Sequence, residues 1–75
     1  MDMAIAVVPE ITLTEKQVAI LQWIAYGKRN EDIAQIMGLS SAHAVQLHVG
    51  KIMKRLDVES RSAAVSWAQR HKIII

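Results

Sequence analysis

Between Ser41 and Leu56 the chain reads SAHAVQLHVGKIMKRL, and here the side chains able to do chemistry are densest. His43, Gln46, His48, Lys51, Lys54 and Arg55 supply two imidazoles, an amide and three cations, with no carboxylate among them. His43 and His48 are five residues apart, so on a helix they fall on different faces. The chain has no cysteine, and no carboxylate lies near these histidines, so they do not make a metal site. Ser40 and Ser41 have no base with an orienting carboxylate in local reach, and no glycine-rich phosphate loop occurs. Neither an enzyme nor a cofactor is expected. The set can instead donate hydrogen bonds and neutralise negative charge, which is the chemistry of a nucleic-acid surface.

Those groups need a rod to hold them. Val45, Val49, Ile52, Met53 and Leu56 recur at helical period and predict one apolar stripe along a helix over 41–56. The polar residues fill the rest of its circumference. A helix packed on one side and donor-rich on the other suits a DNA major groove.

The flanking sequence predicts three more helices. Thr14 and Gln17 fit a capping box, with Leu13 placed to staple against Val18. Val18, Leu21, Ile24 and Ala25 then follow at helical spacing, and Gly27 ends the helix near Tyr26. Asn30 is expected to cap a second, short helix. Glu31 and Asp32 lie in its first turn, where the dipole favours anions. Ile33, Ala34, Ile36 and Met37 make its expected buried face. Gly38 supplies a left-handed end, Leu39 a buried turn residue, and Ser40 or Ser41 the next cap. Two helices joined by a short turn containing glycine form a helix-turn-helix. Asp57 ends the central helix, Val58 plugs the core, and Ser60 caps a fourth helix running from Arg61 to about His71. There Ala63, Ala64 and Ala68 are small enough for another helix to approach closely. Ile73 to Ile75 either pack back or join an interface. Residues 1–12 show no helical period, and Pro9 restricts Val8 to an extended backbone, so they are expected to form an N-terminal arm or linker. Residues 13–75 form the domain.

Seventy-five residues make one small domain. With few aromatics, its core must be built mainly from Ile, Leu, Val, Met and Ala. The net charge of +2 is small, but its distribution is uneven. Residues 1–42 carry three basic and five acidic side chains, while residues 43–75 carry six and two. The basic excess lies with the central helix, as a polyanion binder requires. No stretch approaches the roughly 18 apolar residues of a membrane span, and Met3 to Val8 has no basic region before it. The cytoplasm is the expected compartment, with no membrane partner and no small-molecule ligand.

The segments LTEKQVAILQWIAYGKRNEDIAQIMGLS, VQLHVGKIMKRLDV and SRSAAV together resemble the LuxR-type (FixJ/GerE-like) DNA-binding domain of bacterial transcription regulators, over about Leu13 to Ile74. The resemblance implies an all-α, four-helix helix-turn-helix domain of the LuxR/FixJ C-terminal type. Its third helix would enter the major groove of double-stranded DNA. Its fourth would form a dimer, with the same chain or a related regulator, through Ala63, Ala64, Trp67 and Ala68. It places Ala44 and Gln46 at base-facing positions, and His48, Lys51 and Arg55 against phosphate or the groove wall. Thr14 falls at a first-helix cap whose backbone touches phosphate. Arg61, just after the fourth cap, is placed to bridge back to an acidic side chain. Among the remaining outward residues, Lys54 would neutralise phosphate, with Lys28 or Arg29 at the periphery, while His43 and Leu47 would face the base edges.

The chain departs from that pattern in three places. The turn between Gly38 and Val45 is one residue longer than usual. The usual Thr and Lys near Val45 are replaced by Ala44 and Gln46, so a basic contact is lost, although Gln pairs bidentately with adenine. Gly50 sits inside a helix at a cost of about 1 kcal/mol relative to Ala. A close approach of backbone to DNA or to another helix would explain it. The lost basic reader, the exposed Leu47 and the isoleucine tail also suit a protein-interaction module, one that dimerises with a full-length regulator and inhibits it. A promoter-recognition domain like region 4 of sigma factors shares a similar third helix, but the segment Arg61–Val65 argues against it.

Overall fold

The computed structural model describes residues 4–8 and 11–75. Two short strands, β1 (Ala4–Val8) and β2 (Ile11–Thr14), precede four helices: α1 (Glu15–Ala25), α2 (Asn30–Met37), α3 (Ala42–Leu56) and α4 (Arg61–Arg70). The strands pair antiparallel, with Val8 opposite Ile11 and Ala6 opposite Leu13. The sequence showed only an arm here. The expectation for Pro9 lies outside the described residues, while Val8 is extended within β1.

Local chemistry sets the helix ends. The Thr14 hydroxyl accepts from the Gln17 amide at 3.1 Å, and the Gln17 side chain accepts from the Thr14 amide at 2.9 Å. This is the reciprocal box the sequence predicts. Gly27, at φ +87°, closes α1. The Lys28 amide there reaches back to the Trp23 carbonyl and the Gly27 amide to that of Ile24, a Schellman arrangement. Gly38 closes α2 in the same way. Ser41, not Ser40, caps α3 by accepting from the Ala44 amide at 3.2 Å, and Ser60 caps α4 by accepting from Ala63 at 2.9 Å.

α2 begins differently from the expectation. Arg29 occupies the N-cap position, and the Asp32 carboxylate accepts from its amide at 3.3 Å. Asn30 is the first helical residue, and its side-chain oxygen accepts from the Arg61 guanidinium on α4. The N-cap is therefore Arg29, one residue before the Asn30 that the sequence suggests. Arg61 does bridge back, but to an amide and not to an acidic group.

The core is aliphatic throughout. Leu13, Ile20, Leu21, Ile33, Val45 and Ile52 are its largest fully buried side chains, and no polar or charged residue is buried among the described residues. α2 and α3 pack together as the helix-turn-helix pair, while α1 and α4 pack on each other and on α3. Ile36, expected on the buried face of α2, is 49% exposed. Leu39 is half-buried against the core. The tail packs back: Ile74 is buried, the Ile75 amide donates to the Gln22 side chain at 3.0 Å, and Gln69 donates to the Ile75 carbonyl.

Ala64 and Ala68 have no exposed surface. The elements that cover them belong to the same chain, where α1 and α3 both pack on α4. Their expected role in a dimer interface is corrected: a partner chain cannot reach them without opening this core. Ala63 and Trp67 are only half-buried, and Trp67 stacks on His71 with ring centroids 3.9 Å apart.

A Cβ built at Gly50 meets nothing within 4 Å. Of the two close approaches that would explain this glycine, packing by a helix of the same chain is excluded. Gly50→Ala should therefore stabilise the domain by about 0.5–1 kcal/mol. In thermal unfolding this appears as a midpoint several degrees higher. A lower midpoint would contradict the open surroundings described here.

Candidate nucleic-acid interface

α3 is two interleaved rows. Val45, Val49, Ile52 and Leu56, spaced 4, 3 and 4, are all buried. His43, Leu47, Gly50 and Lys54 repeat the same spacing on the opposite side, and all four are exposed. At about 100° per residue the two rows lie roughly back to back. Gln46 flanks the outer row on one side and Lys51 on the other, and both are exposed.

The flank carrying Lys51 borders the start of the domain. Arg55 donates from Nε to the Thr12 carbonyl at 3.3 Å, which ties the end of α3 to β2 and leaves its other guanidinium donors for a ligand. His48 is half-buried beside it. Burial first, and then the positive charges of Lys16 and Lys51, hold its imidazole below the usual pKa of 6.5. The folded chain thus binds this proton more weakly than the unfolded chain does. The stability it confers is complete above pH 6.5 and is lost as pH falls through the lower folded value. Lys16 was missed in the sequence, because the reach of its charge from α1 to His48 on α3 depends on how the helices pack, which no local spacing signals. Thr14 is exposed, and its oxygen serves the α1 cap as acceptor while the hydroxyl proton is left to donate.

The flank carrying Gln46 borders α2 and α4. An open groove of about 470 Å³ there is lined by Lys28, Arg29, Glu31, His43, Gln46 and Arg61, among others. It adjoins a second groove of about 560 Å³ lined by Asn30, Gln46, Val49, Gly50, Met53 and Arg61. Arg29 is partly neutralised by Asp32, 3.8 Å away. Among the described residues that is the one ion pair, so Lys16, Lys28, Lys51, Lys54 and Arg55 face no carboxylate within bonding distance.

The structure thus brings His43, Ala44, Gln46, Leu47, Lys51 and Lys54 onto the outward part of one helix. His48, Arg55 and Thr14 lie along one border. Ala44 is half-buried, so it offers little more than a methyl surface. Asn30, which joins Arg61 in lining the groove, was read from sequence only as a cap. No described helix is long and apolar enough to cross a membrane.

A short helix, a glycine-closed turn and a second helix whose outer face bears amide and imidazole groups and cations that no described carboxylate engages make a helix-turn-helix domain. The chain belongs to the luxR family of bacterial regulatory proteins, whose pattern matches residues 11–68. Over 61 residues it is 38% identical to the "uncharacterized transcriptional regulatory protein YxjL" of Bacillus subtilis (81% of this chain, 28% of that protein). Over 62 residues it is 37% identical to the "response regulator protein VraR" of Staphylococcus aureus (83% of this chain, 29% of that protein). The chain spans less than a third of the length of these curated relatives.

Proposed function

We propose that this domain reads double-stranded DNA in transcription regulation by laying the outer row of α3 into the major groove. The carrying observation is the exposed outer row of α3, with His43 near its start and Lys54 near its end, flanked by Gln46 on one side and Lys51 on the other, with no described carboxylate paired to Lys51, Lys54 or Arg55. The cations neutralise phosphates and release counterions, and the N-terminal half of α3 meets the base edges. Thr14 and Lys16 at the start of α1 and Lys28 at the opposite border add backbone contacts. So few phosphate contacts per copy give weak binding, so two copies act together on a roughly palindromic site. Ala63 and Trp67 are the parts of α4 left for that pairing.

A fluorescence titration against random duplex pools at two salt concentrations tests this reading. Five phosphates neutralised per copy, by Lys16, Lys28, Lys51, Lys54 and Arg55, give a slope of log affinity against log salt of about −4.5. Association that ignores salt would overturn the reading and favour the protein-interaction module.

His48 adds a pH signature. Phosphate beside the imidazole raises a pKa that burial, Lys16 and Lys51 hold down, so DNA binding takes up a proton. Affinity should then rise as pH falls through the window between the free and bound pKa values. His48→Gln should flatten that dependence in a titration series between pH 7.5 and pH 5.5.

A further inference from the structure

The outer face of α3 changes character along its length. Its N-terminal half presents His43, Ala44, Gln46 and Leu47, with no lysine or arginine, and every cation of the helix lies in the second half at Lys51, Lys54 and Arg55. Resting on the groove placement above, we propose that this division fixes a base preference. The site this chain selects carries A·T pairs where α3 meets the bases, an adenine against Gln46 and a thymine methyl against Leu47, and no guanine there is read by a cation.

The warrant is the donor and acceptor code of the major groove. Guanine is read by a bidentate Arg or Lys at O6 and N7, adenine by Asn or Gln at N6 and N7, and thymine by apolar contact with its methyl group. In helix-turn-helix docking the base edges meet the N-terminal residues of the second helix. In this chain those residues can satisfy adenine and thymine and lack the partner for guanine. The Gln46 amide enters none of the described side-chain hydrogen bonds and is exposed. Arg61, which lines the groove beside it, is bonded to Asn30 through Nη1 and stands on α4, outside the helix whose N-terminal residues meet the bases. Leu47 is 56% exposed and projects from the centre of the outer row between His43 and Gly50. A single exposed leucine is ordinary on a protein surface, but this one stands one turn before a glycine whose side-chain space is empty. The row therefore has a protruding apolar group followed by a recess, and packing within the chain requires neither.

The test separates this preference from DNA binding itself. The 75-residue chain is used to select duplexes from a random pool at low salt, and the selected duplex is rebuilt with single-atom-group changes. Replacing thymine by uracil removes only the methyl group and should weaken binding about fourfold, the effect of one buried methyl. Replacing adenine by 7-deazaadenine removes N7 and should weaken it about five- to hundredfold. Leu47→Ala should be indifferent to the first change and Gln46→Ala to the second, with both variants unaltered in circular dichroism because both side chains are exposed. Selected sites with G·C at these positions, or a wild-type chain indifferent to both changes, would overturn the base preference while leaving duplex binding intact. Failure to bind any duplex would overturn the groove placement and the preference with it.

Discussion

Ile52→Ala should be the most damaging single substitution on α3, costing about 2–5 kcal/mol of folding stability. Ile52 is fully buried at the centre of the inner row and belongs to the cluster that joins all four helices. Truncation removes its transfer free energy and leaves a cavity that the surrounding aliphatics only partly fill. A chain of this length has a total stability of roughly 4–11 kcal/mol, at ~0.05–0.15 kcal/mol per residue. The variant therefore stands near its threshold, and a fraction unfolds at moderate temperature. In urea the midpoint should fall by about 1–5 M with the slope unchanged, for a slope near 1–2 kcal/mol/M. Leu47→Ala removes a similar volume from the opposite side of the same helix and should stay within about 0.5 kcal/mol of wild type. Equal losses for the two variants would mean that the two rows are not inner and outer.

The second large effect falls on binding and spares the fold. Lys51→Ala combined with Lys54→Ala removes two exposed cations that no described carboxylate engages. In the proposed complex each would release about 0.9 of a counterion, so the salt slope should become shallower by about 1.8 and the affinity at 0.15 M salt should fall about 30-fold. The loss should be alike for all sequences, because phosphate contacts position the protein and do not discriminate bases. Melting curves should be unchanged to within about 0.5 kcal/mol. A double variant that keeps the wild-type slope would remove these two lysines from the DNA contact.

The helical part of this fold was legible because its signals are local. Thr14, Ser60, Gly27 and Gly38 each act within five residues of themselves, and the stripe Val45–Leu56 carries its own period. What could not be read depends on distant partners. The β1–β2 ladder is built from backbone hydrogen bonds, and the run Ala4–Val8 shows no alternation that would announce a strand. The bond between Asn30 and Arg61 joins residues 31 apart, and that between Arg55 and Thr12 residues 43 apart. The first makes an apparent cap a tie between elements, and the second adds such a tie to a residue that keeps its other guanidinium donors free. Ala64 and Ala68 show the limit most directly. Their size announced that a helix lies close by, but size alone does not say whether that helix belongs to the same chain. The candidate interface was legible in residue type and less so in grouping. Spacing placed Gln46, Lys51 and Lys54 outward, while the joining of Lys16 to His48, and of Asn30 and Arg61 to Gln46, required the packed helices.

The interleaving of the two rows on α3 also bears on how such a domain changes over generations. No residue contributes to both rows, so on the groove placement proposed above positions 43, 46 and 47 form an alphabet that can be rewritten while the scaffold beneath stays constant. Duplicated copies could diverge to separate operators within a few substitutions, without first acquiring compensating stability. On the proposed groove placement, the same separation makes α3 a practical cassette for engineering: a library randomised at those three positions would sample preferences for DNA with little change in folding.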